Sequence, residues 1–244
     1  MNFLDFITVR KKQKNFNENM TTLLITIAPS FLILFYFFTS DKFKEPKTTI
    51  MIVFVLGILI CLPAGILNNF MSENFSGIHN GKNLTHSFLG PAWTEEILKF
   101  LILYAIVLRR SEFNEPMDGI VYGVVASLGF ATYENYDYVF RLAETWDIAP
   151  SQMAIWRSYT AVPMHGLNGC IMGFYFGMYA FTANKKFLVL SLLIPFLLHG
   201  FYNFLGYPFH YIIVIGMLIY SITLHNSLKK LQLKKKNENE SLKI

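Results

Sequence analysis

Residues 49–67 read TIMIVFVLGILICLPAGIL, nineteen positions without a charged side chain. A helix of about 20 apolar residues crosses the hydrocarbon of a bilayer, so this run reads as a membrane span. The same ruler finds six more candidates, near 21–38, 86–108, 118–140, 161–182, 187–205 and 209–225. In lipid every backbone polar group must be paired internally, and the alternation a membrane barrel needs is absent. The expectation is therefore an all-α fold, a polytopic transmembrane helix bundle with about seven spans. The first run follows a long polar lead-in, and no small-residue cleavage site follows Phe38, so it reads as a membrane anchor rather than a leader.

Composition agrees with the span count. Of 244 residues, 53% are apolar and 15% charged, with 24 phenylalanines and a mean hydropathy of +0.39. Soluble domains carry about 25% charged residues, which excludes an ordinary soluble enzyme, and the apolar content excludes a disordered chain. Cys61 and Cys170 each lie inside an apolar run, which suggests neither a disulfide framework nor a cysteine-rich zinc site. The net charge of +5 belongs to residues flanking the apolar runs, such as Arg10, Lys11, Lys12 and Lys14 before the first and Lys229, Lys230, Lys234, Lys235 and Lys236 after the last. That is the pattern of membrane topology, not of nucleic-acid binding. It predicts a polar basic segment over 1–20, a membrane domain over 21–225 and a disordered basic tail over 226–244, with a cytoplasmic C-terminus. No internal repeat or separate soluble domain is visible.

Charges within spans are costly and mark function, so the informative residues are those that interrupt the apolar runs. The third run contains Glu95, Glu96 and Lys99, the fourth Glu134 and Asn135, the fifth His165, and the sixth His199 with Asn203. On a helix Lys99 reaches either glutamate, four and three residues before it; a purely structural ion pair would use the same spacing. His199 and Asn203 are one turn apart and share a face. His165 follows Pro163, which also suits a helix entry. Gly119, Gly123 and Gly129 in the fourth run read as positions of close helix packing.

Successive spans run in opposite directions. Glu95 and Glu96 lie early in the third, Glu134 late in the fourth, His165 early in the fifth and His199 late in the sixth, so all fall in the same half of the bilayer. Carboxylates, imidazoles and an amide gathered in a protected cavity suit hydrolysis, supplying a base for water and donors for an oxyanion.

With these residues located, the chain resembles the PrsW family of intramembrane proteases, related to the CAAX prenyl protease and bacteriocin-processing group. The resemblance is strongest over 91–205. A Glu-Glu-x-x-Lys element matches Glu95, Glu96 and Lys99; the stretch Glu115-Pro116-Met117-Asp118-Gly119 through Gly129-Phe130-Ala131-Thr132-Tyr133-Glu134-Asn135 is its most specific part; His165 and a His199-x-x-x-Asn203 element follow in the family's order. Where the wider group often has Phe four residues before the first histidine, Ala161 stands here. The resemblance implies an integral-membrane endopeptidase of the cell membrane that cleaves a membrane-anchored protein such as an anti-sigma factor. It implies catalytic roles for Glu95, Glu96, His165, His199 and Asn203, with Lys99, Glu134 and Asn135 in support.

The preferred chemistry is water activated by a glutamate without a cofactor. Zinc on Glu96, His165 and His199 is the alternative, since a glutamate with two histidines is a set zinc accepts, although no His-Glu-x-x-His element occurs. Two rival functions use the same residues: a proton-coupled transporter with the buried Glu and His as a relay, and an inactive membrane scaffold. Against the transporter stand the absence of repeated halves and the placement of the polar groups in one leaflet. His79, His86, His210 and His225 fall in loops or near span ends and are given no catalytic role, while Trp93, Trp146 and Trp156 read as interface anchors.

Overall fold

The small residues of the fourth and fifth runs decide how the bundle closes. In the computed structural model, which describes residues 3–75 and 84–241, the chain is helical throughout. It runs through α1 (Phe3–Ser40), α2 (Lys47–Leu59), α3 (Cys61–Phe75), the short α4 (Leu84–Ser87), a π-turn over Phe88–Ala92, α5 (Trp93–Ala105) and α6 (Pro116–Asp137). A second π-turn, Tyr138–Leu142, leads through α7 (Ala143–Thr145) to α8 (Pro150–Tyr159), α9 (Ala161–Thr182), α10 (Lys185–Leu205) and α11 (Phe209–Ser241).

The centre is the α6–α9 pair, where backbone lies against backbone. A Cβ on Gly119 would stand 2.4 Å from the Gly173 carbonyl oxygen, one on Gly123 2.3 Å from that of Gly169, and one on Gly173 2.0 Å from that of Gly119. On its other side α6 meets α2 the same way, with Gly57 against the Ala126 carbonyl and Gly129 against that of Phe54. Between helices in lipid the attraction is close packing rather than exclusion of water, so glycine at these positions makes the contact possible. The sequence reading of Gly119, Gly123 and Gly129 holds.

Every residue of α6 from Met117 to Ala131 is buried. The outer helices expose wide apolar faces, Leu32 and Phe35 on α1, Met51 and Leu62 on α2 and α3, Val189 on α10, Ile212 and Ile219 on α11. Surface of this kind and extent belongs in lipid, and the protein is an integral membrane protein. Helices occupy all seven expected runs. Four segments are long and apolar enough to cross by length and composition, 17–40, 47–71, 185–205 and 209–234. The others, around α5, α6 and α9, sit inside that shell and carry Glu95, Glu96, Lys99, Glu134, Asn135 and His165, while His199 and Asn203 lie on α10.

One expectation needs correction. Over 226–241 the tail is not disordered: α11 continues to Ser241, and Leu228 and Gln232 are 2% and 3% exposed. These two lie four residues apart on one face, and Leu228 packs among Phe37, Met117 and Ile120. At the other end, α1 starts at Phe3 and carries the polar basic stretch into the first apolar run as one helix. The stretch between the fourth and fifth runs also holds a helix, α8, which opens with Pro150 at its first position, where its missing N–H costs nothing.

Candidate active site

A break in the chain ahead of α5 sets the first residues of the site. Gly90 has φ −78° and ψ −114°, outside the helical region, and Pro91 follows it in the π-turn. The helix restarts at Trp93, with the Thr94 hydroxyl donating to the Gly90 carbonyl at 3.0 Å. Glu95 and Glu96 therefore occupy the first turn of α5 and Lys99 the next. All three are buried, at 3%, 0% and 0% exposure.

Lys99 organises the cluster. Its Nζ donates to Glu96 Oε1 at 2.8 Å and to His165 Nδ1 at 3.0 Å, stands 3.7 Å from Glu95 Oε2, and lies 4.3 Å over the Phe130 ring. With an ammonium donating to Nδ1, the His165 ring proton sits on Nε2, which is given to Glu134 Oε2 at 3.0 Å. Both nitrogens of His165 are thus engaged. His199, from α10, gives its Nδ1–H to the same Glu96 oxygen at 2.9 Å, which leaves Nε2 as the lone-pair nitrogen. The two imidazoles meet edge to face, 5.2 Å apart at 88°.

Glu134 is held from the other side by a residue absent from the sequence reading. Arg157, on α8, donates from Nη2 to Glu134 Oε2 at 2.6 Å and from Nε to Asn135 Oδ1 at 2.8 Å, with its guanidinium 3.8 Å over the Tyr138 ring. Asn135 in turn donates to the Thr26 carbonyl of α1 at 2.7 Å. Asn135 therefore fastens Arg157 and α1 and does not reach the cavity. Asn68, which donates to Glu95 Oε1 at 3.4 Å and accepts from the Thr94 hydroxyl, was also not anticipated. The signal for Arg157 was available, since a lone arginine eight residues before His165 follows an Ala149-Pro150 helix start.

A cavity of about 220 Å³ opens onto this cluster, and Glu95, Glu134, Arg157, His165, His199 and Asn203 line it. Glu96 does not line it. Glu95 is therefore the motif carboxylate that faces the cavity, and its Oε2 accepts no hydrogen bond. Asn203 lines the cavity one turn beyond His199 and bonds to nothing else in the cluster. Of the residues expected at the site, then, Glu95, Glu96, Lys99, Glu134, His165 and His199 meet directly, Asn203 faces the same cavity, and Asn135 stands behind. The cluster thus sets three carboxyl groups, Glu95, Glu96 and Glu134, against the cationic side chains of Lys99 and Arg157.

One atom each of Glu95, His165 and His199 lies within 4.8 Å of the others, a set that could hold a metal ion; the set expected from the sequence had Glu96 in the place of Glu95. Glu96 instead bonds to His199, the backing carboxylate that orients a ligating imidazole in many metal sites. His86 lines the cavity rim, while His225, buried on α11, pairs with the Ser40 hydroxyl at 3.0 Å and stays outside the site. His79 lies outside the described residues. Trp93, Trp146 and Trp156 are 39%, 50% and 47% exposed.

Comparison with known proteins decides the family. Residues 45–225 match the PrsW family intramembrane metalloprotease profile. The chain belongs to the PrsW family. Protease PrsW of Bacillus subtilis (strain 168) is 38% identical over 183 residues, 73% of this chain and 79% of that protein. Protease PrsW of Geobacillus kaustophilus is 36% identical over 182 residues, 73% of this chain and 76% of its own; that of Clostridioides difficile (strain 630) is 31% identical over 207 residues, 82% and 85%. No solved structure matches. PrsW membership makes this chain a membrane protease and favours that activity over transport. The polar cluster lies wholly within the matched span.

Proposed function

We propose that the chain is an endopeptidase of the cell membrane that cuts a membrane-anchored protein of the anti-sigma-factor class at the cavity between α5, α6, α9 and α10. The observation that carries this reading is the single network joining Glu95, Glu96, Lys99, Glu134, His165 and His199 beside a cavity of about 220 Å³.

Glu95 lines the cavity, its Oε2 accepts no hydrogen bond, and it takes a proton from the attacking water. His199 Nε2, on a ring anchored through Nδ1 to Glu96, and the Asn203 amide stand on one face, where they serve the carbonyl oxygen and the leaving nitrogen. Lys99 holds Glu96 and His165 together. Arg157 fixes Glu134, and Glu134 fixes the His165 ring. These last residues act by preorganisation, so that no side chain must reorient as charge develops.

Glu95, His165 and His199 also suit zinc, with His165 exchanging one of its two present partners. Zinc in such a set lowers the pKa of water and polarises a carbonyl. The two catalytic types share residues and differ in metal dependence. The test is cleavage of a single-span substrate by the purified chain in proteoliposomes, with metal content measured before and after chelation. Glu95→Gln and His199→Ala are expected to abolish cleavage. Normal cleavage by variants of Glu95, Glu96, His165 and His199 alike overturns the assignment. Full activity of metal-free protein eliminates zinc, and loss on chelation with recovery on zinc addition eliminates glutamate acting alone.

A further inference from the structure

Asp41 and Glu45 stand four residues apart in the turn between α1 and α2, and Asp118 is the third residue of α6. Sixteen residues of α6 separate Asp118 from Glu134, about 24 Å of helix rise, so this group lies at the opposite end of the bundle from the protease site. The fold brings one oxygen from each of the three carboxylates within 4.8 Å of the others, on side chains 3%, 5% and 0% exposed.

Each carboxylate is positioned by donors of its own. Asp118 Oδ2 accepts the backbone N–H groups of Asn114 and Glu115, both at 2.8 Å. Asp41 Oδ1 accepts the Phe43 N–H at 3.1 Å and Gln232 Nε2 at 2.7 Å. The Tyr122 hydroxyl donates to Glu45. Those bonds account for one oxygen of each aspartate and leave the other. Asp41 Oδ2 and Asp118 Oδ1 are sealed from solvent and accept no hydrogen bond. Among the described residues no lysine or arginine forms an ion pair with any of the three. The nearest lysine in sequence, Lys44, spends its ammonium on the carbonyls of Phe38 at 2.5 Å and Asp41 at 2.7 Å. A buried carboxylate oxygen with neither donor nor cation is costly, and here two share one cluster.

We infer that Asp41, Glu45 and Asp118 bind a hard divalent cation of the calcium or magnesium type, which fastens the α1–α2 turn to the start of α6. An all-oxygen set selects these ions over zinc or copper. Gln232 donates to both Asp41 and Glu115, so the extended end of α11 is tied to the same point. The cation is thereby linked to α11 through Asp41 and Gln232.

The test uses the full chain in detergent, stripped with EDTA and titrated with calcium or magnesium, with melting temperature and equilibrium dialysis of radiolabelled calcium as readouts. Wild-type protein is expected to bind one cation per chain saturably and to melt several degrees higher when loaded. Glu45→Gln and Asp118→Asn are expected to lose about tenfold or more in affinity, since charge count sets affinity at such sites, and to melt no lower than wild type in EDTA because like charges are removed. Glu45→Gln leaves both backbone-held aspartates intact and guards against misfolding. Glu95→Gln, in the remote cluster, keeps the binding. Failure of both ions to bind at millimolar concentration, binding retained in both cluster variants, or binding lost in Glu95→Gln overturns the proposal.

Discussion

Gly173→Ala, far from any catalytic group, is expected to damage both stability and cleavage. The added Cβ would stand 2.0 Å from the Gly119 carbonyl oxygen, 2.6 Å from its carbon and 2.7 Å from the Ile120 Cα, all backbone atoms that cannot swing away, whereas ordinary contact begins at 3.4 Å. Relief requires α6 and α9 to part by 3.4 minus 2.0, or 1.4 Å. Overpacking of this sort costs about 1–3 kcal/mol, and the rigidity of the obstacle places it at the upper end. That corresponds to a fall in melting temperature on the order of 5–10 °C for a chain of this size. His165 lies eight residues back along α9, about 12 Å, and its bond to Glu134 on α6 is 3.0 Å long. Half of the displacement carries that distance to roughly 3.7 Å, beyond hydrogen bonding, and a 1 Å misplacement costs about 10²-fold in rate. Gly65→Ala and Gly216→Ala meet nothing within 4 Å and serve as controls, expected to be neutral or stabilising by about 0.5–1 kcal/mol. Thermal unfolding in detergent and the proteoliposome cleavage assay report both effects. If Gly173→Ala melted and cleaved like the Gly65→Ala control, the backbone contact between α6 and α9 would be refuted.

Three further outcomes separate the roles of neighbouring residues. Glu95→Gln is expected to lose cleavage with little loss of stability, because Lys99 stands 3.7 Å from its Oε2 but only 2.8 Å from Glu96 Oε1, while Glu96→Gln removes the closer buried ion pair and costs about 3–5 kcal/mol; equal melting temperatures for the two would contradict this division. Arg157→Gln is expected to lower the cleavage rate about 10²-fold by releasing Glu134 and hence His165, with Arg157→Lys restoring the charge but only part of the rate, since it cannot hold Glu134 and Asn135 together; an Arg157→Gln enzyme of normal rate would remove the residue from the site. Because burial raises the Glu45 pKa, the folded state holds that proton more tightly than the unfolded chain, and its contribution to stability is present at low pH and lost as pH rises through the folded value. In EDTA, therefore, the melting temperature of wild type relative to Glu45→Gln should fall as pH rises from near 4.5 toward neutrality; a flat difference would contradict the buried placement of Glu45.

Much of the site was legible because lipid makes charge expensive. Few ionisable residues interrupt the apolar runs, and the alternation of helix direction alone placed Glu95, Glu134, His165 and His199 at one depth. Arg157 was hidden for the complementary reason: it lies in a stretch polar enough to read as a loop, and only its fold into α8 turns the guanidinium onto Glu134. The choice between Glu95 and Glu96 was equally invisible, since adjacent residues on a helix differ by about 100° in direction and the packing of α10 decides which one faces the cavity. The lysine-rich end of α11 has the composition of a solvated tail, and its burial depends on Leu228 and Gln232 finding partners more than 100 residues away in the chain.

What the sequence alone determined is the class of structure and the depth of its chemistry: uncharged runs long enough to cross a bilayer, glycines at helical spacing, and a few charges too costly to be there without purpose. What the tertiary structure decided is pairing. Lys99 chooses Glu96 and His165, Arg157 chooses Glu134, and Asp118 meets Asp41 and Glu45, because such contacts depend on which faces of α5, α6, α9 and α1 are pressed together. Spacing along one helix fixes a direction for each side chain, but only the close approach of two backbones over Gly119 and Gly173 fixes what that side chain meets.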